Sequence, residues 1–251
     1  MSLKPLKEVS VFGLSIQCGE QSDLIEVCQK AVLAKRGVTV AFVNVHSLME
    51  SADDLSMRET LSSFSVRAPD GMPVVWLLKT KGHTEVSRVS GPDFMATFLE
   101  MTCEEPHGFI GGRPEQIEFI KKRFQLKEVV HYSPPFRGFS VENAQEDWRE
   151  FLSKSEGRAL PHFIWVGLGA PKQERWIQAI APLSPQTSFF AVGAAFDFLS
   201  DTKARAPEWM RNNGLEWLHR LASEPRRLGP RYLSSNLKFL SRLPREIFKT
   251  K

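Results

Sequence analysis

Between Pro161 and Gln173 the chain reads Pro-His-Phe-Ile-Trp-Val-Gly-Leu-Gly-Ala-Pro-Lys-Gln, an order that suits a strand, a tight turn and the start of a helix. Phe163 to Val166 is an uninterrupted apolar run, short enough to be a strand buried on both faces. Gly167 and Gly169 lack a Cβ, so the backbone there can turn sharply and approach another group closely. Pro171 suits a first helical turn, where no N–H is needed. Trp176, Ile177 and Ile180 then give that helix an apolar face. Helix N-terminal amides beyond a strand end make a seat for an anion. Lys172 adds a charge to it, and Gln173 an amide that both donates and accepts. A phosphate-bearing ligand fits this junction, and so does simple packing, since α/β proteins use such turns for both. The spacing matches neither a Walker loop nor G-x-G-x-x-G.

The same strand-then-helix rhythm runs along most of the chain. Strand-like runs at 9–16, 38–45, 65–68, 86–89, 108–110, 129–132, 163–166 and 187–192 alternate with helical patterns at 23–35, 47–49, 55–64, 74–79, 93–100, 115–124 and 143–152. This predicts an α/β fold, Rossmann-like, with a mostly parallel sheet and helices on both faces. After Gly193 the strands stop, and Trp, Leu and Arg recur between Pro207, Pro225, Pro230 and Pro244. Residues 1–200 are therefore expected to form the α/β body, and 201–251 a basic helical appendage.

Charge separates the same two parts. From Lys203 to Lys251 there are twelve Lys/Arg against four Asp/Glu, while the whole chain is only +4, so residues 1–202 sum to −4. Such a segment suits a nucleotide diphosphate, an anionic lipid surface or nucleic acid. Cys18, Cys28 and Cys103 have no metal-ligand spacing and fit a reducing cytoplasm. The first residues lack the apolar core of a signal peptide, and no run approaches the roughly 18 apolar residues that cross a bilayer. The expectation is a cytoplasmic protein.

Ligands of open parallel sheets gather at the carboxyl ends of the strands. That rule selects Asn44, Gly111, the stretch from Gly167 and Gly169 to Gln173, and Asp197. Asp70, in Pro69-Asp-Gly-Met-Pro, has two readings: a cap or turn former, or a base that takes a proton from a hydroxyl. Arg88, in Arg88-Val-Ser-Gly-Pro-Asp, either grips a phosphate or pairs with a neighbour. In the tail, Arg220, Arg226, Arg227 and Arg231 lie among Trp and Leu, as in a membrane-surface element, a cap on an anion-binding cleft or a solvated basic helix. No H-E-x-x-H, Asp-x-Asp or G-x-S-x-G pattern is present, so no metal is expected and a serine hydrolase is disfavoured.

Five segments together resemble the WecG/TagA/CpsF glycosyltransferases, glycosyltransferase family twenty-six. They are Pro69-Asp-Gly-Met-Pro, Arg88-Val-Ser-Gly-Pro-Asp, Val166-Gly-Leu-Gly-Ala-Pro-Lys-Gln-Glu, Val192-Gly-Ala-Ala-Phe-Asp-Phe, and the tail Arg205-Ala-Pro-Glu-Trp, Gly214-Leu-Glu-Trp-Leu-His-Arg-Leu and Glu224-Pro-Arg-Arg-Leu. Order and spacing agree from about residue 8 to 233. The resemblance implies a metal-independent, inverting transferase without a cofactor, peripheral on the cytoplasmic face of the bacterial membrane. It implies transfer from a UDP-sugar to a polyprenyl-diphosphate-linked saccharide, in the assembly of exopolysaccharide, capsule or teichoic acid. By the same resemblance Asp70 is the base and Arg88 helps hold the donor or its leaving group. Asn44 and Gln173 contact the donor, and Arg220 and Arg227 fold over the diphosphate; Arg231, from the tail's own pattern, is a further donor-binding candidate. Relatives commonly carry Thr at the position of Phe42, and the Gly229-Pro230 pair is also a departure from their pattern. The residues themselves leave two rivals, a nucleotide-dependent oxidoreductase and a nucleic-acid-binding module; the first lacks the dinucleotide fingerprint, and the second's Trp/Leu spacing suits burial better than base stacking. Homo-oligomerisation is left open.

Overall fold

A computed structural model describes residues 6–249, with the side chains of Arg227 and Arg231 outside what it describes. The chain opens with a hairpin of β1 (Lys7–Val11) and β2 (Leu14–Cys18), then α1 (Gln21–Leu33), β3 (Thr39–Val43), α2 (Val45–Asp53), α3 (Leu55–Ser62), β4 (Val66–Pro69), α4 (Met72–Thr80) and α5 (Gly91–Met101). It continues through β5 (His107–Gly111), α6 (Pro114–Arg123), β6 (Val129–Tyr132), α7 (Val141–Lys154), β7 (Phe163–Gly167), α8 (Lys172–Ile180), β8 (Ser188–Ala191) and α9 (Ala195–Leu199). Three helices close it: α10 (Glu208–Asn212), α11 (Glu216–Ser223) and α12 (Pro225–Phe248).

Strands β3 to β8 form one sheet in the order β4-β3-β8-β7-β5-β6, and every neighbouring pair is parallel. The architecture is α/β and Rossmann-like. Alternation along the central strands explains the helices on both faces. Ile164, Val166 and Phe189 join a core with α2, α3, α4, α7 and α8, whereas Phe163, Trp165 and Phe190 point the other way, toward α1, α5, α6 and α9. Trp165 stacks on Phe190 at 4.4 Å, and both are fully buried.

Two expectations change. The apolar run 9–16 is not one strand but the hairpin, turned at Phe12 and Gly13, which both have positive φ. Residues 86–89 are not a strand. Val86 and Val89 are buried, but the segment touches the sheet only through isolated bonds such as the Val89 N–H to the Pro69 carbonyl, 2.9 Å, and β4 remains the sheet edge.

After α9 the remaining helices fold back on the sheet and its hairpin. Phe239 of α12 meets Phe12 of the hairpin edge-on at 5.8 Å. Lys238 and Arg242 each reach Asp53 of α2 at 2.6 Å, and Lys81 reaches the buried Glu246 at 3.1 Å. Among the described residues no helix is long and apolar enough to cross a membrane.

Candidate active site

The carboxyl ends of β3, β4, β7 and β8 open into a cleft of about 410 Å³, roofed by residues of α11 and α12. That size lies in the range of small-molecule sites, roughly 300–1,000 Å³. Its place follows from parallel strands, whose C-terminal loops all leave on one side of the sheet.

Asp70 is the first residue past β4. Its N–H donates to the Val43 carbonyl at 2.9 Å, extending the pairing with β3 by one step. Gly71, at φ +103°, then turns the chain into α4, and no side chain caps that helix. Asp70 is therefore not a cap. Its carboxylate lines the cleft and, among the described residues, accepts no hydrogen bond. Burial pushes its pKa up to about 7, helped by the negative charges of Glu216 and Asp93 and opposed by Arg88 and Arg220. A carboxyl half-ionised near neutrality is suited to proton transfer.

Arg88 is held on both sides. Nη1 donates to Glu216 Oε2 and Nη2 to Asp93 Oδ2, each at 2.9 Å, and the side chain is 11% exposed. Asp93 is a hub. It sits three residues into α5 behind the N-cap Ser90, whose hydroxyl donates to Oδ2 at 2.6 Å, while Arg205 and Arg211 of the appendage approach Oδ1 at 2.5 and 3.3 Å. Burial alone would raise this carboxyl; the bonds from Arg205 and Ser90 and the charges of Arg205 and Arg88 outweigh it and hold the pKa below the ordinary value.

The glycine positions divide. Gly167 and Gly169 line the cleft, and a Cβ on Gly167 would sit 2.5 Å from the Phe196 ring. Gly111 does not line it: at φ +90° its hydrogen faces the Gly167 carbonyl, which a Cβ would meet at 2.8 Å, and its neighbour Gly112 takes the cleft position. Gln173 is buried, accepting from the Gly169 N–H at 3.1 Å and donating to the Ala191 carbonyl at 3.1 Å, so it ties the β7 turn to the end of β8. Lys172 is not among the cleft residues and donates instead to the Arg137 carbonyl at 3.0 Å.

Asn44 caps α2, its Oδ1 accepting from the N–H groups of His46 and Ser47 at 3.0 and 3.2 Å. Its Nδ2 has no partner among the described residues and belongs to the cleft lining. Asp197 also lines the cleft but is engaged by Gln116 Nε2 at 2.9 Å and Lys203 at 3.0 Å. Arg220, on α11, has no ion pair or hydrogen bond from its guanidinium among the described residues and lies 5.7 Å over the Phe198 ring. Trp217 and Tyr232, edge to face at 6.2 Å, form an aromatic wall of the cleft.

A model of the glycosyl transferase WecG/TagA/CpsF family matches residues 9–251, nearly the whole chain. The chain belongs to that family. It is a WecG/TagA/CpsF glycosyltransferase, of a family that serves cell-surface polysaccharide synthesis. In this glycosyltransferase, Asp70, Asn44 and Arg220 meet at one cleft although 176 residues separate the outer two. Arg227 and Arg231 lie on α12, but their side chains are outside the described ones. Phe42 lines the cleft and packs on Phe94 at 5.5 Å. Gly229 and Pro230 lie inside α12 without ending it.

Sequence reading missed Asp93, Lys203, Arg205, Arg211 and Glu216, all of which bind the appendage to the body. One signal was readable: Ser90-Gly-Pro-Asp93 has the spacing of a capping box, which marks a helix start with an acid at its third position.

Proposed function

We propose that this glycosyltransferase moves a sugar from a UDP-sugar to a hydroxyl of a polyprenyl-diphosphate-linked saccharide, in one displacement with inversion. Asp70 takes the proton of the acceptor hydroxyl as its oxygen attacks the anomeric carbon. The bond from that carbon to the diphosphate breaks, and Arg220, joined by Arg227 and Arg231, receives the leaving UDP. The single observation that carries this reading is that one cleft holds a carboxylate, Asp70, and a guanidinium, Arg220, neither bonded to another side chain among the described residues. Preorganised positive charge at a developing anion is commonly the largest source of rate. The aromatic wall of Trp217 and Tyr232 suits a flat base.

The acceptor's lipid supports placing the enzyme on the inner face of the bacterial cytoplasmic membrane. Leu233, Leu237, Leu240 and Phe248 are exposed along α12 at helical spacing, and Phe248 is 81% exposed. Arg245 and Lys249 interleave with them, while Lys238 and Arg242 beside them are paired with Asp53. Such a helix binds an anionic surface by its apolar stripe and basic flank together. We propose further that no metal is needed, since chain cations meet the diphosphate; EDTA is expected to leave turnover unchanged.

The test is release of UDP from a panel of UDP-sugars with a short-chain lipid-diphosphate acceptor. Wild-type turnover should rise to half its plateau near pH 7, where Asp70 ionises. Asp70→Asn should bind donor normally but turn over roughly 10²–10⁴-fold more slowly. Near-normal turnover in that variant removes Asp70 as the base.

A further inference from the structure

Arg88 and Asp70 reach the same cleft from neighbouring segments, yet both terminal nitrogens of Arg88 are occupied, one by Asp93 of the body and the other by Glu216 of the appendage. A donor phosphate reaching that guanidinium would compete with two carboxylates already on it. Among the described residues Arg220 meets no such competition. The two arginines therefore do different work.

We infer that Glu216 is a positioning residue of the transfer reaction: delivered by the appendage, it holds Arg88 and sets a second carboxylate beside Asp70, so that docking of the appendage readies the base. Glu216 opens α11, its side chain is 22% exposed, and it lines the cleft with Asp70. The appendage is fixed close by through Arg205 and Arg211 on Asp93, so this carboxylate is anchored and not a loose surface acid. Asp70 is faced by Glu216 and Arg220 from α11, by Arg88 from the segment ahead of α5, and by Asp93 from α5; Arg205 is near enough to feel its charge. Among these, Glu216 is the leading charge that disfavours ionised Asp70, and Arg88 the leading charge that favours it. A base kept too acidic by arginines would hold a proton poorly, and Glu216 offsets them.

This inference rests on Asp70 being the base, and its test separates the two ideas. The Asp70 carboxyl is followed by carbon-13 NMR titration in the full-length chain, with Asp70→Asn assigning the signal. In Glu216→Gln the titration midpoint should fall by about one pH unit, the scale of one neighbouring charge. The acid limb of kcat/KM should fall with it. In Arg88→Gln the midpoint should move the opposite way, upward. A purely structural role would loosen the site in both variants, admit water and move both midpoints down together. Glu216→Asp keeps the charge and should stay closer to wild type. An unmoved midpoint in Glu216→Gln, or downward shifts in both variants, overturns the inference while an inactive Asp70→Asn leaves the base intact. An active Asp70→Asn removes the base assignment and the inference with it.

Discussion

Arg205 Nη1 lies 2.5 Å from Asp93 Oδ1, joining the appendage to the body across 112 residues of sequence. Because Arg88 and Arg211 share that carboxylate, Asp93 is where three cations converge. Asp93→Asn keeps the side chain's shape but removes its charge, leaving those cations under-compensated. A hydrogen bond to a charged group contributes about 1.5–3 kcal/mol, and partial exposure of Asp93 puts this case toward the lower end. The variant should unfold at lower denaturant concentration and be cut more readily by protease between residues 200 and 215. Unchanged proteolysis would show that α12 alone anchors the appendage.

Stability should depend on pH through Asp70. Its folded pKa is raised from 3.8 to about 7, so the folded chain holds the proton more tightly than the unfolded chain. This favourable contribution is complete below about pH 4 and is lost as pH rises through 7. Asp70→Asn, which cannot ionise, should therefore gain stability over wild type between pH 5 and pH 8. Urea unfolding of both proteins at the two pH values checks this, and an equal difference at both would contradict it. Loss of rate with gain of stability is the expected sign of a residue kept for chemistry.

The sheet was legible because strands buried on both faces are short unbroken apolar runs, as Phe163 to Val166 shows, and the glycine punctuation marked their ends. The hairpin was not, since its turn places Phe12, an apolar residue, at φ +52°, and its one signal, Gly13, sits inside a strand-like run as a bulge glycine also does. Val86 and Val89 show the converse: both are apolar and buried, but their segment lacks a ladder partner. At the site, Asp70 and Arg220 stood out within motifs, whereas Glu216 and Asp93 did not. What they do depends on which arginines the appendage brings to them, and spacing along the chain carries no record of that meeting. Lys172 is a like case, its ammonium donating to the Arg137 carbonyl, a partner that spacing along the chain does not record.

Arg220 and Lys172 give opposed expectations. Arg220→Ala removes a cation without breaking a bond inside the protein, apart from its place over Phe198, worth about 0.5–1 kcal/mol. Its melting temperature should change little while kcat falls roughly 10²-fold, as when one donor to a developing anion is lost. Lys172→Ala should keep turnover within a few-fold of wild type. Steady-state kinetics with a saturating acceptor decides both, and the reverse ranking would put the diphosphate at the α8 end of the cleft.

Gly167 and Gly169 are two residues apart and differ in what an added methyl would meet. At Gly169 the space is open, and the strain comes from φ +77°, a left-handed conformation costing about 1–2 kcal/mol for a residue with a Cβ. At Gly167 the backbone is ordinary, but the methyl would meet Phe196 Cε2 at 2.5 Å and the Gly193 carbonyl at 3.1 Å. Overpacking of that kind costs roughly 1–3 kcal/mol. It would also push Phe196 against Phe109, which it contacts at 5.7 Å, and so disturb the turns of β7 and β8 together. Gly167→Ala should therefore lose both stability and turnover, and Phe196→Leu should restore part of each by shortening the side chain it strikes. Gly169→Ala should gain nothing from the same second change. Denaturant unfolding of the three single and two double variants supplies the coupling, and additive effects at Gly167 would show that Phe196 is not what excludes a side chain there.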